Sequence, residues 1–332
     1  MPAPQLHLSF GMSIQDRPGI APALRRACAS EPVYTRLGSI FHDLPYYGNM
    51  LLEAARYGLR AAALDEPWAY RMHSVRPARF VASYVRAAHR ASLTSDEKLA
   101  LVGGLASHCA LDLTLHPLVN YCARSAVARE GGHESVHHRL TEKFHALFFH
   151  VETLGDDLIG SPRMRTWTRV VKRGSLVAPR VEAPIADFMG DAYRGAYGDA
   201  PEARTWAGWV RSFAHFGLLV SSPLARRNSE QARRDPALRA RYFENEQFRF
   251  FDFYACSERR LTLLCNLAYD YFEAGDFSPR AEEAFVAAST IDDLAEPEPL
   301  ELPSLPRLRV VSTPGVTRPA MNDGESPIIA AA

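Results

Sequence analysis

The sequence predicts an all-α protein, and three observations predict it. Apolar residues recur at the three- and four-residue intervals of a helix along most of the chain. Strand-like alternation is scarce, with Arg169 to Val177 the one weak candidate. Capping residues, glycine pairs and prolines then cut the chain into segments of helical length.

The elements follow in order. Helices are expected over Ile20 to Ser30, Tyr47 to Tyr57 and Arg76 to Ala91. Thr94 and Glu97 form a capping box that opens a long helix running through Leu115. Pro117 disfavours helical geometry at His116, so that helix is expected to end or kink there. Gly131-Gly132 breaks the chain again. Ser135 can cap a further helix reaching about Leu154, with Gly155 as its stop. Ile185 to Tyr197, Ala203 to Leu219, Glu230 to Ala240 and Glu258 to Glu273 complete the set. After Asp293 the chain carries seven prolines and no helical period, which predicts an extended, disordered tail. The expected organisation is a metal-binding core over 1–160, a helical extension packed on it over 161–292, and the tail over 293–332.

Composition bounds the function. The 332 residues are 47% hydrophobic, enough for a sizeable core, and the formal net charge of zero implies no polyanionic partner. The positive charge is almost all arginine; Lys98, Lys143 and Lys172 are the lysines. Five cysteines, an odd number without a CxxC pair, predict a reduced, intracellular chain. The N-terminus lacks a basic start followed by an apolar stretch, and no uncharged apolar run approaches the ~18 residues of a bilayer span. A soluble, cytoplasmic protein is the expectation.

Eleven of the twelve histidines fall between His7 and His150. Spacing turns this clustering into a site. His108, Asp112 and His116 recur every four residues in LASHCALDLTLHP, so they share one helix face. Leu101, Val102, Leu105, Leu111, Leu113 and Leu115 make that helix apolar nearly all round, hence buried. Buried histidine and aspartate need partners, and a metal ion supplies them. His138 and Glu142 repeat the four-residue spacing on the next helix, and imidazole with carboxylate suits zinc. Asp43, His73 and His7 are the upstream candidates. Each residue alone has a plainer reading: a buried hydrogen-bonded pair, a helix C-terminal cation, a solvated pair on one helix face. Together they favour the metal. His42, His133, His137 and His145 are read as surface residues or outer donors. The arginine run Arg226, Arg227, Arg233, Arg234, Arg239 and Arg241 has Glu230 and Asp235 interspersed and reads as a solvated helix face.

Over residues 5 to 155 these motifs together resemble the zinc-dependent phospholipase C family, related in fold to P1-type nucleases. The matching motifs are H-L-S-F-G at His7, G-S-I-F-H-D at Asp43, H-S at His73, H-x-x-x-D-x-x-x-H-P from His108 to Pro117, and H-x-x-x-E from His138 to Glu142. The resemblance implies a multi-helix phospholipase C/P1 nuclease-like core, here with extra C-terminal helices, around two or three zinc ions. Asp43, His73, His108 and Asp112 would bind one ion; His116, His138 and Glu142 a second; His7 and a bridging Asp112 a third. The chain lacks the mature N-terminal tryptophan that secreted members place on the third metal. Leu44 stands where choline-phospholipid enzymes carry an aromatic, with Tyr46 and Tyr47 close by.

The expected function is metal-dependent hydrolysis of a small phosphodiester or phospholipid-like substrate, with Asp43 orienting or deprotonating the attacking water. A non-phosphate hydrolase or tailoring enzyme reusing the site, and a non-catalytic metal-stabilised protein binding anionic ligands through the arginines, are the alternatives.

Overall fold

A computed structural model describes residues 4–48, 67–154, 183–220 and 223–298. Among them are thirteen α-helices, two 3-10 segments and no strand beyond a single bridge between Glu244 and Arg249. In order these are α1 (Pro4–Met12), a 3-10 turn (Ser13–Asp16), α2 (Pro22–Ser30), α3 (Pro32–Ile40), a second 3-10 segment (Phe41–Tyr47), α4 (Pro67–Ser74), α5 (Pro77–Arg90), α6 (Ser95–Glu130), α7 (Glu134–Leu154), α8 (Ala183–Tyr197), α9 (Ala203–Val220), α10 (Pro223–Arg233), α11 (Pro236–Tyr242), α12 (Phe250–Ala274) and α13 (Pro279–Ser289). Many begin on a proline, whose fixed φ suits a first helical turn and whose missing N–H would be unpaired there anyway. That punctuation creates short helices, α1, α3 and α4 among them, that the apolar period alone does not reveal.

The fold is built round α6. The Thr94–Glu97 capping box starts it as expected, with Glu97 N donating to Thr94 Oγ1 at 3.3 Å and Thr94 N to Glu97 Oε2 at 2.7 Å. Every residue from Leu99 to Ala123 is buried. This helix is long and apolar enough to cross a membrane by length and composition, yet that whole stretch is covered by the rest of the protein. α2, α3, α7 and α12 pack round it. Aromatic contacts tie the chain beyond position 160 into the same core. Phe188 and Tyr193 of α8 meet Tyr84 and Phe80 of α5 with ring centroids 4.7 and 5.2 Å apart.

α6 does not end at His116; it continues through Pro117 to Glu130. Proline at 117 has no N–H to give the Leu113 carbonyl one turn back. Arg260 of α12 donates to that carbonyl instead, Nη1 to O at 3.0 Å, which repairs the gap. Two other boundaries differ from expectation. The helix expected over 230–240 is two helices, because Asp235 caps α11 through Ala237 N (2.9 Å) and Leu238 N (3.3 Å) ahead of Pro236. α12 starts at Phe250, eight residues before the expected Glu258. The tail boundary at 293 also needs correction. Ile291 and Leu294 are buried, and residues 293–296 hydrogen-bond to the core. The rest of the expected tail from 299, the strand candidate Arg169–Val177, Gly155 and the expected helix after Gly48 lie outside the described residues.

Arg260→Ala should therefore cost about 1–3 kcal/mol, the penalty of an unpaired buried carbonyl. In a Pro117→Ala background, where residue 117 recovers its N–H, the same change should cost far less. Urea unfolding of the four variants of this cycle measures the coupling; equal costs in both backgrounds would show that the Leu113 carbonyl is not what Arg260 serves.

Candidate metal centre

The four-residue spacing on α6 places His108, Asp112 and His116 on one buried stripe. α1 brings His7 to it, the Phe41–Tyr47 segment brings Asp43, the end of α4 brings His73, and α7 brings His138 and Glu142. All eight sequence-derived candidates meet in one place. Asp112 lies at the middle. Its Oδ2 is 3.0 Å from His108 Nε2 and 3.8 Å from His73 Nε2; its Oδ1 is 3.2 Å from His7 Nε2 and 3.6 Å from His116 Nε2. Asp43 reaches His73 Nε2 with Oδ1 at 3.5 Å and His7 Nε2 with Oδ2 at 3.9 Å. Glu142 Oε1 is 3.4 Å from His116 Nε2 and 3.1 Å from His138 Nε2.

Three groups could hold a metal ion: His7, His108 and Asp112; Asp43, His73 and His108; His116, His138 and Glu142. The residues fit a cation by two tests. First, both Asp43 oxygens, Asp112 Oδ2 and the Nε2 atoms of His73, His108 and His116 are buried without a hydrogen-bond partner. So many orphaned polar atoms at one point would each cost about 1–3 kcal/mol, and a cation answers them together. Second, nitrogen and oxygen donors on a tetrahedral ion with bonds of roughly 2.0–2.1 Å sit about 3.4 Å apart. The donor separations of 3.0–3.9 Å bracket that value.

Four of the five donor histidines are aimed by their other nitrogen. Nδ1 of His73 donates to the Ala69 carbonyl (2.8 Å), Nδ1 of His108 to the Ser39 carbonyl (2.9 Å), Nδ1 of His116 to the Leu294 carbonyl, and Nδ1 of His138 to Asn120 Oδ1 (3.0 Å). With the proton held at Nδ1, Nε2 presents its lone pair inward. Two glycines make the Ser39 contact possible. A Cβ at Gly38 would overlap the Leu101 carbonyl, and one at Gly104 the Thr35 carbonyl, so α3 and α6 touch backbone to backbone beside His108.

Electrostatics favour a proton in place of the cation when none is bound. Burial pushes the His108 and His116 pKa values down, but the Asp112 carboxylate beside both outweighs it and raises each to about 9. Burial opposes ionisation of Asp112, yet His108, His116 and His7 hold it well below the usual carboxylate range. Glu142 is likewise held down, against burial, chiefly by His138. His138 is lowered by burial.

Asn120 was not among the sequence candidates. It extends the same four-residue series, His108, Asp112, His116, Asn120, and that repeat could have revealed it; the expected helix end at His116 hid it. Three of the histidines read as surface residues or outer donors, His42, His137 and His145, are buried. His42 stacks on His108 at a ring-centroid distance of 5.0 Å, and His145 lines a cavity of about 20 Å³ with His7, Asp112, His116 and Glu142. His133 is exposed, and His137 bonds the Gly131 carbonyl. The arginine run is partly neutralised in place: Arg239 pairs with Glu152 and Glu244, and Arg241 with Glu130. Among the eight donors, His138 alone has substantial side-chain exposure, 24% against 6% for Glu142 and His116, so the centre opens to solvent at the His116, His138 and Glu142 end.

Comparison of the chain with protein-family models, with curated proteins and with solved structures gives no match. The donor geometry carries the functional reading.

Two expectations follow. Gly104→Ala should force α3 from α6, displace the Ser39 carbonyl from His108 and weaken metal binding roughly tenfold or more, read by chelator competition; undiminished affinity would show that the close approach does not serve the centre. The second concerns pH. A histidine whose folded pKa is raised from about 6.5 to about 9 stabilises the fold fully below pH ~6.5 and loses that contribution as pH rises through ~9. Metal-free protein should therefore lose thermal stability between pH 6.5 and 9. Metal affinity should rise across the same window, with protons released into weakly buffered solution on zinc addition. A metal-free melting temperature that climbs over that window would contradict the assignment.

Proposed function

We propose that this chain is a metal-dependent hydrolase that cleaves a small phosphodiester at a zinc centre of two or three ions. The supporting observation is that the two oxygens of Asp112 face different donors, Oδ2 toward His108 and His73, Oδ1 toward His7 and His116. A carboxylate so placed serves neighbouring cations at once. Asp43, His73, His108 and Asp112 would hold the first ion, and His116, His138 and Glu142 the second. His7 and Asp112 would serve a third. When bound, such ions polarise a phosphoryl oxygen and lower the pKa of water.

The protein's own groups divide the remaining work. The first set offers four donors and is shut in, the pattern of a closed site; the second offers three at the solvent-facing end, the pattern that leaves room for a reactant. Asp43, whose Oδ2 turns toward His7, would orient or deprotonate the attacking water where that oxygen is not committed to a metal.

A metal-stabilised scaffold without turnover is the second reading. The near-complete burial of Asp43, His73 and His108 favours it, since structural sites are closed. A non-phosphate hydrolase using the same donors is distinguished by substrate screening.

The test is metal analysis with a chelation-sensitive phosphodiesterase screen on purified wild type, Asp112→Asn and Asp96→Asn. Wild type should carry at least two ions and turn over. Asp112→Asn, which leaves one neutral oxygen between the donors, should lose metal and activity together. Asp96 is exposed in the first turn of α6, where the carboxylate contributes roughly 0.3–1 kcal/mol through the helix dipole, so Asp96→Asn should keep both. Full loading and normal turnover in Asp112→Asn would remove the bridging role. Loaded wild type without hydrolysis of any ester leaves the scaffold.

A further inference from the structure

The chain after α13 turns back across the open end of the donor cluster. Leu294 N–H donates to the His73 carbonyl at 2.7 Å, and the Leu294 carbonyl accepts from His116 Nδ1. The Ala295 carbonyl accepts from Asn120 Nδ2 at 3.0 Å, while Oδ1 of the same Asn120 accepts from His138 Nδ1 at 3.0 Å. Asp293 shapes the turn that presents these groups, its Oδ1 accepting from Ala295 N at 2.8 Å and Glu296 N at 3.0 Å. One α-helical turn past Asn120, Arg124 pairs with Glu296 at 3.1 Å. Four consecutive residues thus reach His73 and His116 directly and His138 through Asn120.

We propose that residues 293–296 and Asn120 form a clasp on the second metal position, so that seating of the clasp and binding of the cation by His116, His138 and Glu142 are one linked equilibrium. The inference rests on the metal reading above. His116 and His138 offer Nε2 inward only when Nδ1 carries the proton, and the clasp supplies the acceptors that keep it there. The coupling is reciprocal: a cation on Nε2 makes each Nδ1–H a stronger donor and so tightens the clasp. The first position depends on it less, because the clasp touches only the backbone carbonyl of His73 and no ring nitrogen there. His108 is anchored by Ser39 and His73 by Ala69, both within the helical core. Leu294, fully buried in the hydrophobic core, is the apolar anchor of the turn, while Asp292 and Glu296 on either side are exposed, so unseating the segment exposes one leucine and unpacks no helix.

The experiment uses the full chain with zinc as the sole added metal. Hydrogen exchange at the amides of Leu294, Ala295 and Glu296 is followed before and after chelation, with amides in the middle of α6 as reference. Chelation should speed exchange at the three clasp amides at least tenfold more than in α6; equal change, or none, would overturn the clasp. Zinc titration with chelator competition is then run on Asn120→Leu and Asp293→Ala. Each should weaken one zinc ion roughly 10–100-fold and leave another near its wild-type affinity. Weakening of all ions alike, or of none in either variant, would overturn it too. Asp293→Ala alters a half-buried turn residue and stays informative if Asn120→Leu fails to fold. A wild type that binds no zinc overturns the metal reading itself, an outcome distinct from bound zinc with an indifferent clasp.

Discussion

A carboxylate buried against four imidazoles is the constraint on which the rest of this protein depends. Asp112 is 2% exposed, on a helix covered on every side, and nothing apolar round it can compensate its charge. Its neighbours must be cationic, whether protonated rings or bound metal. That requirement explains why His7, His73, His108 and His116, drawn from three helices, converge there. It also explains why the outer nitrogens of His73, His108 and His116 are committed to fixed acceptors. An imidazole free to rotate would leave the charge unmatched at a cost of several kcal/mol, roughly.

Much of this was legible in the sequence, for identifiable reasons. His108, Asp112 and His116, and His138 with Glu142, could be read because helical geometry converts a four-residue interval into a shared face. The burial of α6 followed from its apolar residues on all sides. Asp43 and His73 stand at segment ends and His7 is a further candidate; no four-residue spacing marks them, a family resemblance adds support, and the fold brings all three to the same point. The all-helical architecture was legible from the missing strand alternation.

What stayed hidden depends on contacts distant in sequence. Pro117 reads locally as a stop, and only Arg260, from another helix, makes the uninterrupted α6 tolerable. Without that continuity Asn120 loses its helical register with His116, and its link to His138 disappears from view. The clasp is more opaque still, because it works through the carbonyls of Leu294 and Ala295, which any residue type could supply. Proline-rich composition describes the stretch that follows and says nothing of these backbone contacts. For His42 and His145 the choice between surface residue and outer donor stays open in the sequence, because a lone histidine carries no periodic signal of burial.

The separation between His116 and its acceptor Leu294, 178 positions, has a consequence for how the protein is made. Chains emerge from the ribosome N-terminus first, at about 5–20 residues per second. The last donor, Glu142, therefore appears roughly eight to thirty seconds before Leu294. During that interval the nascent chain holds every candidate donor but lacks the carbonyls that orient two of them. The order of synthesis therefore completes the set of donors well before it completes the backbone that aims His116 and, through Asn120, His138.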